Sequence, residues 1–271
     1  MHEGGDLLKH IALCVFFAYI TTRKDISVNL CEGVHNLPKL FVFAAVFDSW
    51  FMLPTFTEHG LSPGDAVLLG IPTESVGHQS DLVVQTVDRI LALIGSRGTP
   101  IQFLRTQIRE SDPVESTINL LKLMKKQQSD ETIVTLCDSL PAASIAMYLA
   151  ATVYASYRGE EGISSVRIYV PCRATGKRVE LPVPIMPMPK DITLLTEIEK
   201  NPKARLLDLQ PRLRRHLSTI SRQIAAEKRN GLVVENDEGY FLTPLGRVVA
   251  EVLRPQEARE PLKRARPQKR A

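Results

Sequence analysis

Residues 40–71, LFVFAAVFDSWFMLPTFTEHGLSPGDAVLLGI, decide the architecture. Leu40 to Phe47 is a continuous apolar run, the pattern of a strand buried on both faces of a parallel sheet. A helix ending near Gly60 separates it from a second such run, Ala66 to Ile71. Strand, helix, strand with short connections is the unit of an α/β fold.

The alternation continues along the chain. Ser80 can cap a helix that places Val83, Val87, Ile90, Leu91 and Ile94 on one face before Gly95 and Gly98. Ile101 to Ile108 reads as a third strand. Asp112, Pro113 and Glu115 give an N-cap, a first-turn proline and a capping-box acid for a helix reaching about Gln128. Thr132 to Leu136 is a fourth strand and Leu140 to Tyr157 a long apolar helix. Val166–Val170 and Arg178–Val183 close the series as a strand pair around an Ala-Thr-Gly-Lys turn. The expectation is a Rossmann-like, mostly parallel sheet over residues 37–184, with right-handed crossovers. Residues 182–189 (PVPIMPMP) cannot form a regular element, so residues 185–190 read as a stiff linker.

Residues 191–254 follow a different plan. Asp191 caps a helix burying Ile192, Leu195 and Ile198. A second helix buries Leu206, Leu209 and Leu213, with Pro211 expected to shorten or kink it. After Arg214-Arg215-His216, a third helix from about Leu217 to Arg229 buries Leu217, Ile220 and Ile224 and stops at Asn230-Gly231. Its other face lines up Thr219, Arg222, Ala226 and Arg229, with Ser218 and Ser221 near the start. Two short strands, 232–234 and 240–242, flank Glu235 to Gly239, and Thr243 caps a last helix to Leu253. The stretches STISRQI (218–224), NGLV (230–233) and YFLTPLG (240–246) resemble the MarR/ArsR type of winged helix-turn-helix. That resemblance implies binding to double-stranded DNA through Ser218, Thr219, Ser221, Arg222 and Arg229, with Arg214 and Arg215 beside them. Winged helices also serve protein contacts; the arginine-bearing face favours DNA. Acidic Glu235, Asp237 and Glu238 argue against deep insertion of the wing.

Charge agrees with that division. From Lys190 onward there are 18 Lys/Arg against 11 Asp/Glu, a surplus of +7, while the first 189 residues balance to −3. A basic end on a mildly acidic body is the footprint of a domain that meets a polyanion. The basic, proline-containing residues 255–271 are expected to be disordered, serving either phosphate contact or nothing. Residues 1–36 match no strand–helix unit and read either as a genuine extension or as an artefact of start-codon choice, the latter slightly favoured. The four cysteines are scattered, which fits reduced thiols in the cytoplasm and disfavours a zinc site or disulfide scaffold. No run is long and apolar enough to span a bilayer, so no membrane partner is expected.

In doubly wound sheets ligands sit beyond the carboxyl ends of strands. Three such ends carry polar residues here: Asp48 and Ser49; Thr73, Glu74 and Ser75; and Cys137, Asp138, Ser139, Leu140, Ala142 and Ser144 entering a helix. Asp138 and Ser139 fit helix capping as well as ligand contact; Trp50 and His78 fit packing as well as binding. No dinucleotide fingerprint, P-loop or G-x-S-x-G is present, which disfavours a dehydrogenase, NTPase or esterase. The opening LFVFAAVFDS, the segment GDAVLLGIPTES and the turn TLCDSLPAAS together resemble the CARF sensor domain of CRISPR systems. With the proline-bearing linker and winged helix, the chain resembles archaeal CARF/winged-helix regulators over residues 39–254. The resemblance implies a homodimer that binds a cyclic oligoadenylate, in particular cyclic tetra-adenylate, across its two-fold axis, and no cofactor or catalytic residue. The turns carry glycine less often than the family's, with Leu140-Pro141 in place. A ring nuclease acting on the same ligand is the enzymatic alternative, disfavoured because these turns carry no Lys or Arg; a sensor of an unrelated metabolite is the third.

Overall fold

The computed structural model describes residues 38–45, 52–74, 85, 101–127, 129–137, 140–160, 165–172, 175, 177–189 and 191–254. β1 (Lys39–Ala44) lies at the middle of a six-stranded sheet, and Leu40 to Ala45 are at most 1% exposed. The apolar run is therefore buried on both faces, which is why it lacks alternation. β2 (Ala66–Pro72), β3 (Gln102–Ile108), β4 (Glu131–Thr135), β5 (Ser165–Cys172) and β6 (Lys177–Leu181) complete the order β3-β2-β1-β4-β5-β6. The first five strands are parallel, and β6 pairs with β5 antiparallel, Cys172 opposite Lys177 and Ile168 opposite Leu181. The chain moves outward from β1 to β3, then returns to β4 on the other side of β1. That reversal puts a crevice at the carboxyl ends of β1 and β4.

Helices α1 (Met52–His59), α2 (Pro113–Gln127) and α3 (Pro141–Glu160) belong to this half. Phe56 of α1 packs edge-on against Phe41 and Phe43, at 5.2 and 5.3 Å between ring centroids. Asp112 caps α2 by accepting from Glu115 N–H at 3.0 Å, but its own N–H goes to Arg109 O rather than to Glu115, so half of the expected capping box forms. The expected helix over 80–94 lies outside the described residues apart from helical Gln85.

The proline-rich segment is irregular, as its composition dictates, yet it does not stand free. Met186 N–H donates to Ser156 Oγ on α3 at 2.9 Å, and Met188 is buried. It leads into α4 (Thr193–Lys200), α5 (Leu206–Leu213), α6 (Leu217–Arg229), the hairpin β7 (Val233–Asn236) and β8 (Gly239–Leu242), and α7 (Pro244–Leu253). Leu194, Leu195, Ile198, Leu209, Leu213, Ile220, Ile224, Val248 and Val249 form their shared core. Ile192, Leu206 and Leu217, expected in that core, are half-buried at its rim. α5 carries Pro211 in its last turn and ends at Arg214 in the left-handed conformation, φ 52°. Ala204 bridges Tyr240, adding a one-residue third strand to the hairpin.

This half packs on the sheet half within one unit, Leu37–Ala271. The Lys125 ammonium on α2 donates to the last carbonyls of α7, Val252 at 2.5 Å and Arg254 at 2.9 Å, where a cation offsets the helix dipole. Lys122 pairs with Glu251 at 3.4 Å. Among the described residues no helix is long and apolar enough to cross a membrane, and no group of three His, Cys, Asp or Glu could hold a metal ion.

Candidate functional site

Two surfaces collect the residues that the sequence singles out. At the carboxyl end of the sheet, the polar groups that are described turn inward to hold the turns. Thr73 N–H donates to Ile108 O at 3.0 Å, tying β2 to β3 past their last pairing. The Glu74 carboxylate accepts from Ser111 N–H at 2.7 Å and from the Ser111 hydroxyl, and these bonds hold its pKa below the usual carboxylate value. Ser144 donates to Cys137 O and accepts from Cys137 N–H at 3.1 Å, so one hydroxyl satisfies the backbone of the turn after β4. The Cys137 thiol is buried and donates to Leu140 O at 3.6 Å. Pro141 opens α3. Asp48, Ser49, Ser75, Asp138 and Ser139, with Trp50 and His78, lie outside the described residues.

Close to this end of the sheet runs a polar contact that sequence reasoning missed. Arg178, on β6, donates through Nη1 to Thr55 Oγ1 at 2.6 Å and pairs through Nη2 with Glu58. Its guanidinium lies 5.1 Å over the Tyr169 ring, and burial lowers its pKa. Thr55 in turn meets Thr135 at 3.3 Å. One buried arginine thereby joins β6, α1 and the end of β4. No sequence signal marks it, because a charged residue in an edge strand ordinarily faces water.

The second surface is α6. Ile220 and Ile224 point to the core; Ser218, Ser221, Arg222, Ala225, Lys228 and Arg229 are exposed, and Thr219 and Ala226 are half-buried. The outward face is thus turned by about one residue from the expected one, with Ala225 and Lys228 on it. Arg222 Nε and Arg229 Nε each donate to the carbonyl four residues earlier, Ser218 and Ala225, at 3.3 Å, which lays both stems along the helix. Exposed Arg214 precedes the helix. Arg215 differs: its guanidinium pairs with Asp191 and donates to Gln223 Oε1 at 3.1 Å, so it is committed inside the protein.

Two of the hairpin acids are also committed. Glu235 binds Lys228 at 2.7 Å, which lowers the carboxylate pKa and raises that of the lysine, and Glu238 pairs with Lys203 at 3.1 Å. Asn236 Oδ1 accepts from Glu238 N–H and Gly239 N–H at 2.9 and 3.2 Å, holding the tip in a tight turn.

No family model matches the chain, and no curated protein matches it. Among solved structures, Can2 from Sulfobacillus thermosulfidooxidans in complex with cyclic tetra-adenylate (cA4) is 10% identical, with a TM-score of 0.30. The match covers 78% of this chain and 63% of Can2, just under two thirds of that protein's length.

Proposed function

We propose that this chain is a CRISPR-associated DNA-binding transcription regulator, a winged helix-turn-helix carried by a Rossmann-like sensor for a cyclic oligoadenylate. The observation that carries the DNA half is the exposed face of α6. Small hydroxyls at its first turns and arginines at positions 222 and 229 suit a helix that enters the major groove, hydroxyls toward phosphates and guanidiniums toward guanine O6 and N7. The three-helix core, the β7–β8 hairpin and the Thr243-capped α7 give that helix the setting of a winged domain. The short turn at the hairpin tip, with Glu235 and Glu238 paired to lysines, supports backbone contact over groove insertion.

The ligand half is supported by the sequence resemblance at residues 40–75 and 135–144 and by the crevice between β1 and β4. A homodimer would place the two crevices on one axis, where a rotationally symmetric ring such as cyclic tetra-adenylate fits. It would also set the two α6 helices about 34 Å apart for a palindrome. Ligand binding would act by shifting that spacing. Arg178 is tied to Glu58 and Thr55, so the cation beside α1 is not free for phosphate chemistry, which favours sensing without cleavage.

Electrophoretic shifts of DNA from upstream of the chain's own gene, with and without cyclic tetra-adenylate, test the reading. A retarded dimer complex whose midpoint moves with the ligand is expected; a complex indifferent to the ligand overturns the sensor, and linear oligoadenylate recovered by chromatography identifies a nuclease instead.

A further inference from the structure

Arg215 sits in the turn that leads into α6 and, from sequence, belongs with the DNA-contacting arginines. Its surroundings point elsewhere. The guanidinium is shared between the Asp191 carboxylate, shortly before α4, and Gln223 Oε1, midway along α6. Both members of the ion pair are only 31% exposed. Asp191 has a second task, accepting from Thr193 N–H at 2.9 Å at the start of α4. It follows within three residues of buried Met188, in the segment fixed to α3 through Met186 and Ser156. Met186 is thus bonded to α3, Asp191 follows it by five residues along the chain, and the Arg215 pair leads from Asp191 to α6.

We propose that Arg215 is a positioning residue: the Asp191–Arg215–Gln223 brace fixes the angle of α6 against the segment arriving from the sensor half, and Arg215 makes no phosphate contact. The inference rests on the DNA reading above and gives it a specific mechanical part. Nη1 makes both contacts, so one terminal nitrogen of the guanidinium ties the Asp191 carboxylate to the Gln223 amide on α6.

Asp191→Asn separates the possibilities by sign. Asparagine retains the oxygen that accepts from Thr193 N–H but removes the charge that holds Arg215. If Arg215 were a phosphate ligand restrained by Asp191, the variant would release it, subtract a negative charge and tighten DNA binding. As a brace, its removal weakens binding. The measurement is the affinity of the full chain for a duplex selected by the wild-type protein from a randomised pool, over a series of salt concentrations.

For Asp191→Asn and Arg215→Gln we expect binding to weaken roughly tenfold, the scale of one charge-assisted bond. The slope of log affinity against log salt should stay at its wild-type value, and pairing Asp191→Arg with Arg215→Asp should recover part of the affinity. Tighter binding by Asp191→Asn, or a slope reduced by about 0.9 in Arg215→Gln, overturns the brace while leaving the DNA reading intact. A wild-type chain that selects no duplex overturns the DNA reading, and the brace's role with it.

Discussion

His59 ends α1 with its imidazole 7% exposed and Nε2 without a hydrogen-bond partner, 5.4 Å from the Tyr169 ring and 3.8 Å from Glu58. Burial, first among its influences, lowers its pKa from 6.5. A base whose folded pKa lies below its unfolded one binds fewer protons when folded. Stability is therefore unaffected well above pH 6.5 and falls as pH drops through 6.5, where the unfolded chain takes up the proton first. Urea unfolding at about pH 8 and about pH 5 should show a larger drop in stability for the wild type than for His59→Asn, whatever the variant costs at the higher pH. Equal drops would mean that His59 charges freely in the fold. At this scale the sequence was least informative. Arg215, Arg222 and Arg178 are the same residue type in basic or strand contexts, yet one braces, one is exposed and one is buried against α1. What separates them is the partner placed opposite by the fold, and a one-dimensional pattern does not contain the partner.

Elements were far more legible, because their causes are local. The apolar runs at 40–47 and 66–71, the Asp112-Pro113 start and the proline segment each act through their own neighbours in the chain. Strand and helix boundaries fall within a few residues of the expected ones. β1 closes at Ala44 among the described residues, and Phe47 lies beyond them. The outward face of α6 is turned by about one residue because Leu217 lies outside the core. Helix start residues have only one neighbouring turn to pack against, and Leu217 sits at the rim. Gly246 shows what an element needs that pattern reading passes over. A Cβ there would stand within 2.9 Å of the Leu232 carbonyl carbon and closer still to its oxygen, so α7 approaches the backbone entering β7 as closely as glycine permits. Gly246→Ala should cost about 1–3 kcal/mol by forcing α7 and that backbone apart. Chemical denaturation of the full chain would measure it; an unchanged midpoint would show that α7 can back away freely.

For the whole molecule, the packing of the two halves into one unit was not readable in the sequence. A proline-rich stretch implies a spacer, but Met186 is bonded to Ser156 on α3, Met188 is buried, and Lys122 and Lys125 fasten α7 to α2. The charge distribution needs the same correction. Residues 191–254 hold 11 Lys/Arg against 9 Asp/Glu, so most of the +7 surplus lies in residues 255–271, and the folded domain depends on where its arginines point. The salt dependence of duplex affinity for the wild-type chain and for Arg222→Ala/Arg229→Ala therefore tests the central claim most directly. A selected duplex is expected to bind with affinity falling steeply as salt rises. The double variant is expected to bind at least roughly tenfold more weakly, from about 1–3 kcal/mol for each arginine–guanine pairing removed. Equal affinity and equal slope for the two proteins, or no duplex bound at low salt, would contradict it.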